Sequence, residues 1–331
     1  MKNYNESIGI DVSKLTLDAY SFKSKKHQQF TNDSKGFAKL LSWIKNQGNK
    51  LNEVIVCFEN TGWYSLNLSI YLNESSIDFI RVNPLELKRS IGLKRGKSDK
   101  ADAQDIAKYS WQNKEDIKLS VAPSKKLIEL QRLLALREQL VKQQTALKNQ
   151  YEGMKSIVND VTMDKCMQFI VETLVHLAIQ IKKVEQEMDL LIKQDEQLQK
   201  NYKLCKSVKG IGQVLAIQMI LHTQNFTSFD CWRKFSAYCG LVPYPYQSGT
   251  SIHGKNRIHP ISDRKMKSLL SMASISAIRA DKELKAYYQR RVEEGKPKKS
   301  VINMVRNKIV ARVFATVNRG TPFVELHRFA A

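Results

Sequence analysis

The first 115 residues alternate between short apolar runs and amphipathic segments. Apolar or alternating runs predict strands at residues 7–13, 15–22, 27–31, 53–59 and 77–82. Apolar positions at helical spacing predict helices that begin near Asp33, Thr61 and Asp99. Strands followed by alternating helices and strands predict an α/β layer fold, with helices covering a mixed sheet.

Residues 122–199 change to long, charged helical patterns. Six apolar positions there follow alternating spacings of three and four, the heptad pattern of a coiled coil: Leu174, Leu177, Ile181, Val184, Met188 and Leu191. A similar stripe begins at Leu127. Such helices form either an antiparallel hairpin within one chain or a pairing between chains, and the sequence leaves both open.

The last third of the chain predicts mainly helices, at residues 214–221, 226–239, 266–288 and 300–317, with an irregular loop at 240–251. The Gly210-Ile-Gly212 turn before the first of these helices either presents backbone N–H groups to a phosphate or uses glycine only for its φ freedom. Three parts follow: residues 1–115, an α/β domain; 116–202, long helices; and 203–331, a helical domain.

Charge narrows the choice of partner. The net charge of the 331 residues is +22, and residues 203–331 alone hold 23 Lys or Arg against 7 Asp or Glu. Such an excess indicates a polyanionic partner, most simply nucleic acid. No apolar run approaches the length of a membrane span, and the first residues do not resemble a signal peptide. Five scattered cysteines indicate reduced thiols in a cytoplasm.

Four acids carry the candidate chemistry. Asp99 and Asp102 are three residues apart, so both project from the first turn of one helix. They either bind a hard cation such as Mg²⁺, or serve as the N-cap and N3 residues of an ordinary helix. Asp11 and Glu59 end predicted strands, where ligands of open α/β sheets gather. Four gathered carboxylates need compensating cations, and two Mg²⁺ ions about 4 Å apart would activate a nucleophile and stabilise a leaving oxygen.

Serine and basic residues offer further candidates. Ser248 stands between a turn and a glycine near many cations, where a hydroxyl could attack phosphorus, although most loop serines have no such role. The predicted nucleic-acid contacts are basic residues near these motifs: Lys97, Lys100, Lys209, Lys255, Arg257, Arg264, Lys265, Lys298 and Lys299. Alternatively, each of these residues is only a surface charge that contacts solvent.

Four blocks, taken in series, resemble the DEDD-type insertion-sequence transposases, a family related to site-specific DNA invertases and guided by a bridge RNA. The resemblance covers nearly the whole chain. The blocks are Ile10-Asp11-Val-Ser-Lys14, Glu59-Asn-Thr-Gly62, Lys97-Ser-Asp-Lys-Ala-Asp-Ala103, and Gly240-Leu-Val-Pro243 with Gln247-Ser-Gly249.

The resemblance implies an RNase H-like (RuvC-like) N-terminal domain, a coiled-coil middle that joins subunits, and a mainly α-helical C-terminal transposase domain. Asp11, Glu59, Asp99 and Asp102 would bind Mg²⁺, and Ser248 would form a transient phosphoserine link with cut DNA; Ser251 is its rival. The implied partners are double-stranded DNA at the element ends and target, a structured guide RNA, and a second subunit, with a tetramer possible on DNA. The implied location is a bacterial or archaeal cytoplasm.

Two other functions stay open. A resolvase-like nuclease would use metal-activated water and would still cut DNA without Ser248. A non-catalytic coiled-coil protein would bind nucleic acid without divalent-dependent cleavage, with Asp99 only a helix cap. A sugar-kinase or actin-type ATPase begins with a similar Ile-Gly-Ile-Asp run, but the chain shows no second phosphate hairpin of the Asp-Gly type.

Overall fold

The computed structural model describes residues 3–92, 96, 98–116, 118–157, 164–249 and 251–324, without the side chains of Ser248, Ile252, His253 and Lys255. The chain divides into two compact units, Met1–Ser124 and Lys125–Ala331. The second unit contains both the long helices and the C-terminal helices. The three-part division expected from the sequence stays a prediction.

The first unit is built on a mixed five-stranded sheet with the order β3-β2-β1-β4-β5. Strands β1, β4 and β5 are parallel, whereas β2 and β3 are antiparallel additions next to β1. The strands are Glu6–Val12 (β1), Thr16–Ser21 (β2), His27–Thr31 (β3), Val54–Glu59 (β4) and Phe79–Val82 (β5). The five predicted strands are confirmed: β3 has the predicted bounds, β1 begins and ends one residue earlier, and the other three are shorter.

Helices cover both faces of this sheet. The four helices are Ser34–Lys45 (α1), Leu66–Glu74 (α2), Pro84–Ile91 (α3) and Asp99–Gln112 (α4). Because side chains alternate along a strand, Phe58 of β4 joins the core that contains Leu40 of α1, while Cys57 joins the core that contains Ile106 of α4. The predicted α/β layer fold is therefore confirmed for this unit.

In its described residues, the second unit combines helices with one hairpin of strands Tyr244–Ser248 (β6) and Ile252–Arg257 (β7). In chain order its helices are Lys125–Lys155 (α5), Lys165–Lys193 (α6), Glu196–Ser207 (α7), Gln213–His222 (α8), Trp232–Tyr238 (α9), Arg264–Ala280 (α10), Lys282–Glu293 (α11) and Lys298–Arg319 (α12). Helices α7 to α12 share one core. No helix in the described ranges is both long and apolar enough to cross a membrane.

The two long helices pack against each other within one chain. Leu130 and Leu134 of α5 share a core with Met188 and Leu191 of α6, and the Arg137 Nε donates to Glu185 Oε1 at 2.7 Å. The intrachain hairpin, one of the two alternatives, is therefore present. Coiled-coil geometry and pairing between chains stay predictions.

Three expectations for the second unit are wrong. The expected irregular loop at 240–251 contains most of a hairpin, whose register shifts at Tyr244/Tyr246 and so accommodates Pro245 at a bulge. The expected helix 266–288 is two helices, because the Asp281 side chain accepts from the Leu284 N–H and starts α11. The expected helix 226–239 begins only at Trp232, after left-handed backbone at residues 224–226.

Candidate active site

Asp11 and Glu59 lie at the carboxyl ends of two adjacent parallel strands. Each is one residue beyond the paired positions Ile10 and Phe58 of β1 and β4. Both carboxylates belong to the strand positions that face α4, because Ile10 and Phe58 point to the opposite core. Chain folding therefore brings these two acids together at one edge of the sheet, as their strand-end positions predict.

Gly9 sets the position of α4 on the sheet. A Cβ at Gly9 would lie 2.2 Å from both the Ala103 carbonyl oxygen and the Ala107 nitrogen, so the helix backbone rests directly on β1. The Ser7 Oγ also donates to the Ala107 carbonyl at 3.0 Å. Gly9 and Asp11 share one face of β1, so this close contact brings the start of α4 beside Asp11.

The first turn of α4 carries the other two predicted acids. Ser98 is the N-cap residue, and its Oγ accepts from the Ala101 N–H at 3.3 Å. The alternative interpretation of Asp99 as the helix cap is therefore wrong: Asp99 is the first residue inside the helix. Asp99 and Asp102 both lie in the first turn, where the helix dipole favours negative charge.

The four acids are close enough to interact electrostatically. Burial raises the pKa of Asp11 to about 6, and the charges of Asp102, Asp99 and Glu59 add to the increase, in that order. Asp18 adds a smaller effect. Removal from water and nearby negative charge both disfavour the ionised form of a carboxyl. A cation close to Asp11 would therefore stabilise its ionised form.

A cavity of about 540 Å³ opens beside these carboxylates. Asp11, Glu59 and Asp102 line it, whereas Asp99 is not among its lining residues. Asp105, which is outside the four-acid motif, lines the cavity too, because it lies one helical turn beyond Asp102. The exposed Lys88 of α3 brings a cation to the rim.

Carboxylate oxygens are the ligands that Mg²⁺ prefers, and the carboxylates that add to the raised pKa of Asp11 are negative charges that a divalent cation would balance. The carboxylate oxygens at this site are therefore suitable ligands for a divalent cation. Within the described ranges, no three Asp, Glu, His or Cys side chains are already gathered tightly enough to hold one. Ligation by Asp11, Glu59 and Asp102 together requires side-chain rotation.

Asp18 is a further acid that the sequence pattern does not single out. It pairs directly with Asp11 across the antiparallel β1–β2 ladder and is only 5% exposed. The His27 ring nitrogen lies 2.9 Å from its Oδ1, and Gln29 donates to its Oδ2 at 3.0 Å. The alternation of β2 is the signal that would have placed Asp18 on the same face as Asp11.

The serine candidates belong to the second unit. Ser248 is the last residue of β6 and pairs with Ile252, and Gly249 follows it at a φ of +55°. Ser251 lies in the turn and is exposed. The side chain of Ser248 lies outside the described residues, so its role as nucleophile stays a prediction.

The predicted basic contacts have varied surroundings. Lys97 and the side chain of Lys255 lie outside the described residues. The Lys209 Nζ donates to the Ala280 carbonyl at 3.3 Å, and Lys265 forms a 2.6 Å ion pair with Glu138. The others are exposed: Lys100, Arg257, Arg264, Lys298 and Lys299. Their role in binding nucleic acid stays a prediction.

The Gly210-Ile-Gly212 turn fits the simpler of its two interpretations. Gly210 has a φ of +90°, and a Cβ there would lie 2.5 Å from the Ala273 carbonyl oxygen of α10. The glycine is required for backbone conformation and for close packing. Its phosphate-binding role therefore receives no support from this contact.

Gly9→Ala is expected to displace α4, because the new methyl group meets backbone atoms that cannot rotate away. We expect a loss of about 3 kcal/mol in the free energy of unfolding of the first unit, at the upper end of overpacking effects, and a loss of DNA cleavage. Thermal unfolding and a strand-cleavage assay measure both. Gly153→Ala is the control, since open space surrounds that glycine. Wild-type melting and cleavage by Gly9→Ala would contradict the placement of α4.

The substitutions Asp99→Asn and Asp105→Asn test whether an acid takes part in cleavage because it belongs to the motif or because it lines the cavity. Asp99 raises the pKa of Asp11 and belongs to the motif, whereas Asp105 lines the cavity but is outside the motif. We therefore expect Asp99→Asn to reduce divalent-dependent cleavage by about 100-fold or more, and Asp105→Asn by less than about tenfold. Single-turnover cleavage rates at saturating divalent cation give the comparison. The reverse order would assign the site to Asp105.

Comparison with known proteins agrees with this arrangement. Residues 8–156 match the DEDD family model of IS110, described as a transposase, and residues 202–289 match the model described as transposase IS116/IS110/IS902 family. The pilin gene-inverting protein of Moraxella bovis is 27% identical over 322 residues, covering 96% of this chain and 97% of that protein. The transposase for insertion sequence element IS1111A of Coxiella burnetii is 26% identical over 183 residues, covering 47% and 48%.

Both family models describe transposases of one group and match the chain in order, the first over the acidic site and the second over the serine-bearing part. The DEDD model implies an RNase H-like fold for the first unit, in agreement with its mixed sheet. The chain therefore belongs to the IS110 family of DEDD transposases, and it is a DNA transposase or recombinase.

Proposed function

We propose that this protein excises and inserts an insertion-sequence element, guided by a bridge RNA, with Mg²⁺ held by Asp11, Glu59, Asp99 and Asp102 and with Ser248 as the nucleophile. The observation that carries the proposal is the group of four interacting carboxylates, three of which line one cavity, where burial and their mutual repulsion raise the pKa of Asp11 to about 6. Such a group has little use in a binding protein but suits a site for divalent cations and phosphodiesters.

The four carboxylates would hold the divalent cations and orient the phosphodiester, and they would not react with the DNA themselves. When bound, divalent cations would neutralise the phosphodiester and stabilise the charge that develops on its oxygens. Asp11 and Glu59 project from the sheet, which gives them rigid positions, and Asp102 is fixed by the contact of α4 with Gly9. Lys88 at the cavity rim would help to attract the DNA backbone.

Ser248 would supply the covalent step. Its Oγ forms a bond to phosphorus while one P–O bond of the DNA strand breaks, and the hydroxyl proton ends on the departing oxygen. The phosphodiester energy is kept in the phosphoserine link, so attack by a DNA hydroxyl reseals the strand without ATP. A link that keeps the bond energy suits recombination, in which each cut end must later be joined.

The partners follow from charge and exposed surface. The +22 net charge suits DNA and a structured guide RNA together, with affinity that falls steeply as salt rises. Sequence choice would rest mostly on base pairing between RNA and DNA. Phe169 and Val175 of α6 are 68% and 55% exposed, which supports pairing of these helices between subunits in a dimer or a DNA-bound tetramer. The protein would act in a bacterial or archaeal cytoplasm.

The relatives also support recombination. The pilin gene-inverting protein is named for inverting a gene, which requires both cutting and rejoining of DNA. The match extends over almost the full length of both chains. The same chemistry in this chain would serve either inversion or element movement, depending on where the paired sites lie.

The test is a denaturing gel of the protein after incubation with element-end DNA, guide RNA and Mg²⁺. We expect a protein–DNA adduct that depends on the divalent cation. Hydrolysed DNA ends without an adduct would favour a resolvase-like nuclease that uses water. Binding without any cleavage would favour a non-catalytic nucleic-acid-binding protein.

A further inference from the structure

Two cations of the second unit interact electrostatically near the segment that leads into the serine hairpin. Lys267 of α10 and Arg306 of α12 are both half-buried, and the two helices pack against each other. The Arg306 Nη1 donates to Asn303 Oδ1 at 3.2 Å, and the Asn303 Nδ2 donates to the Leu241 carbonyl at 2.7 Å. Leu241 belongs to the segment that leads into β6, so Asn303 connects this pair to the hairpin.

These two charges have no carboxylate partner within the described part of the chain. Burial lowers the pKa of Lys267, and the charge of Arg306 lowers it further, while burial alone lowers the pKa of Arg306. The Arg306 Nε is buried and has no hydrogen-bond acceptor. Like charges held together out of water destabilise a fold, and an unsatisfied buried donor adds to that effect.

Arg312 on the same helix shows the ordinary structural alternative. Its Nη1 lies 2.6 Å from Asp281 Oδ2 and its Nη2 lies 2.7 Å from Glu283 Oε2. The fold thus provides two carboxylates for Arg312, six residues after Arg306. Among the described residues, the fold provides no such carboxylate for Arg306.

We propose that Lys267 and Arg306 bind one phosphate group of the DNA strand next to the serine hairpin. A phosphate balances both charges and offers acceptors to the free N–H groups of the guanidinium, a geometry that arginine recognises well. This inference rests on the proposed function, because it takes the strand cut at Ser248 as the ligand. It adds a backbone contact that none of the predicted basic residues supplies.

The phosphate held here would lie several nucleotides along the strand from the one attacked. Ser248 is seven residues beyond Leu241, and a strand advances about 3.3 Å per residue, so the serine lies near the tip of the hairpin and the pair lies at its foot. Lys267 and Arg306 are therefore positioning residues. Through Asn303 and Leu241, a bound phosphate would fix the foot of the hairpin and, with it, the direction in which Ser248 is presented.

The test compares Lys267→Gln and Arg306→Gln with Arg279→Gln in the full-length chain. Arg279 is exposed near the other end of α10, so its substitution removes the same charge without touching the pair. Binding of a fluorescent element-end DNA duplex is measured without divalent cation between 50 and 200 mM salt. Each of the first two variants is expected to weaken binding about five- to tenfold and to reduce the slope of log Kd against log salt by about 0.9, as for one lost phosphate contact.

Folding is monitored by thermal unfolding of the same variants. Removing one of two repelling charges is expected to leave the melting temperature unchanged or to raise it, so weaker DNA binding cannot be assigned to misfolding. A wild-type salt slope in both Lys267→Gln and Arg306→Gln, or an equal loss in Arg279→Gln, would overturn the proposal. A loss seen with labelled guide RNA but not with DNA would overturn the assignment to the DNA strand.

This binding test is independent of strand cleavage. If the wild-type protein forms no covalent adduct but Lys267→Gln and Arg306→Gln lose the expected phosphate contact, the proposed serine chemistry fails and the phosphate site stands. If the adduct forms and the variants bind DNA like the wild type, the phosphate site fails and the serine chemistry stands.

Discussion

Asp11→Asn is expected to abolish divalent-dependent DNA cleavage, by about 1,000-fold or more, and at the same time to make the fold more stable above pH 6. The activity is lost because Asp11 sits at the centre of the four interacting carboxylates. The gain in stability has a related origin: the amide removes a charge that is partly buried and lies close to other carboxylates. Single-turnover cleavage and thermal unfolding measure the two effects.

The pH dependence fixes the sign of the stability effect. The pKa of Asp11 rises from 3.8 to about 6 on folding, so the folded protein binds this proton more tightly than the unfolded chain. The resulting stability is complete below about pH 4 and is lost as the pH rises through about 6. Because Asp11 is partly exposed, we expect a loss on the order of 1–2 kcal/mol by pH 8, which corresponds to roughly 3 °C in melting temperature.

Divalent cation should reverse this loss in the wild type alone. Addition of Mg²⁺ at pH 8 is expected to raise the melting temperature of the wild-type protein and leave that of Asp11→Asn nearly unchanged, and a chelator should remove the difference. Glu115→Gln is the control, since it removes an exposed negative charge from the same unit. Equal responses of wild type and Asp11→Asn to the cation would argue against ligation by Asp11.

The acidic site could be predicted because each of its parts has a local signal. An apolar run marks β1 and β4, and a carboxylate that follows such a run must lie at the edge of the sheet. The spacing of Asp99 and Asp102 places both on one helical turn. No local signal shows how closely α4 approaches the sheet, because the contact of Gly9 with Ala103 and Ala107 joins residues almost one hundred positions apart.

Local signals failed where two of them competed. Ser98 and Asp99 are both good N-caps, and only the structure shows that Ser98 starts α4. Pro245 argues against a strand, yet β6 accommodates it because the hairpin has only two strands and a register shift. Asp281 interrupts an apolar helical pattern that otherwise continues. In each case a single residue decided the outcome, through a hydrogen bond or a bulge that periodicity does not record.

The Lys267–Arg306 pair lies beyond such signals altogether. Lysine and arginine are common throughout the last third of the chain, where positive charge far exceeds negative charge. Only tertiary packing separates an arginine that has carboxylate partners, such as Arg312, from one that has none among the described residues, such as Arg306. The pair is therefore identified by the lack of balancing negative charge around it in the described part of the chain. Only the folded structure shows which residues surround the pair.

Ser248→Ala is expected to eliminate the protein–DNA adduct, with a loss of strand joining of about 1,000-fold or more, while DNA binding is retained. Removal of the hydroxyl leaves the acidic unit, the basic surface and the backbone of the hairpin intact. The measurements are adduct formation on a denaturing gel and DNA affinity by fluorescence anisotropy. Ser251→Ala is the matched control, three residues away on the same hairpin.

The different expectations for Ser248 and Ser251 rest on where their backbones lie in the hairpin. A nucleophile must be held close to its productive geometry, and a misplacement of about 1 Å reduces the rate by about 100-fold. Ser248 belongs to the β6–β7 ladder opposite Ile252, whereas Ser251 lies in the exposed turn. We therefore expect Ser251→Ala to keep adduct formation within about tenfold of the wild type. If instead Ser251→Ala loses the adduct and Ser248→Ala keeps it, the nucleophile is in the turn; if Ser248→Ala still cuts DNA and leaves hydrolysed ends, the acidic site works with water and the hairpin only binds.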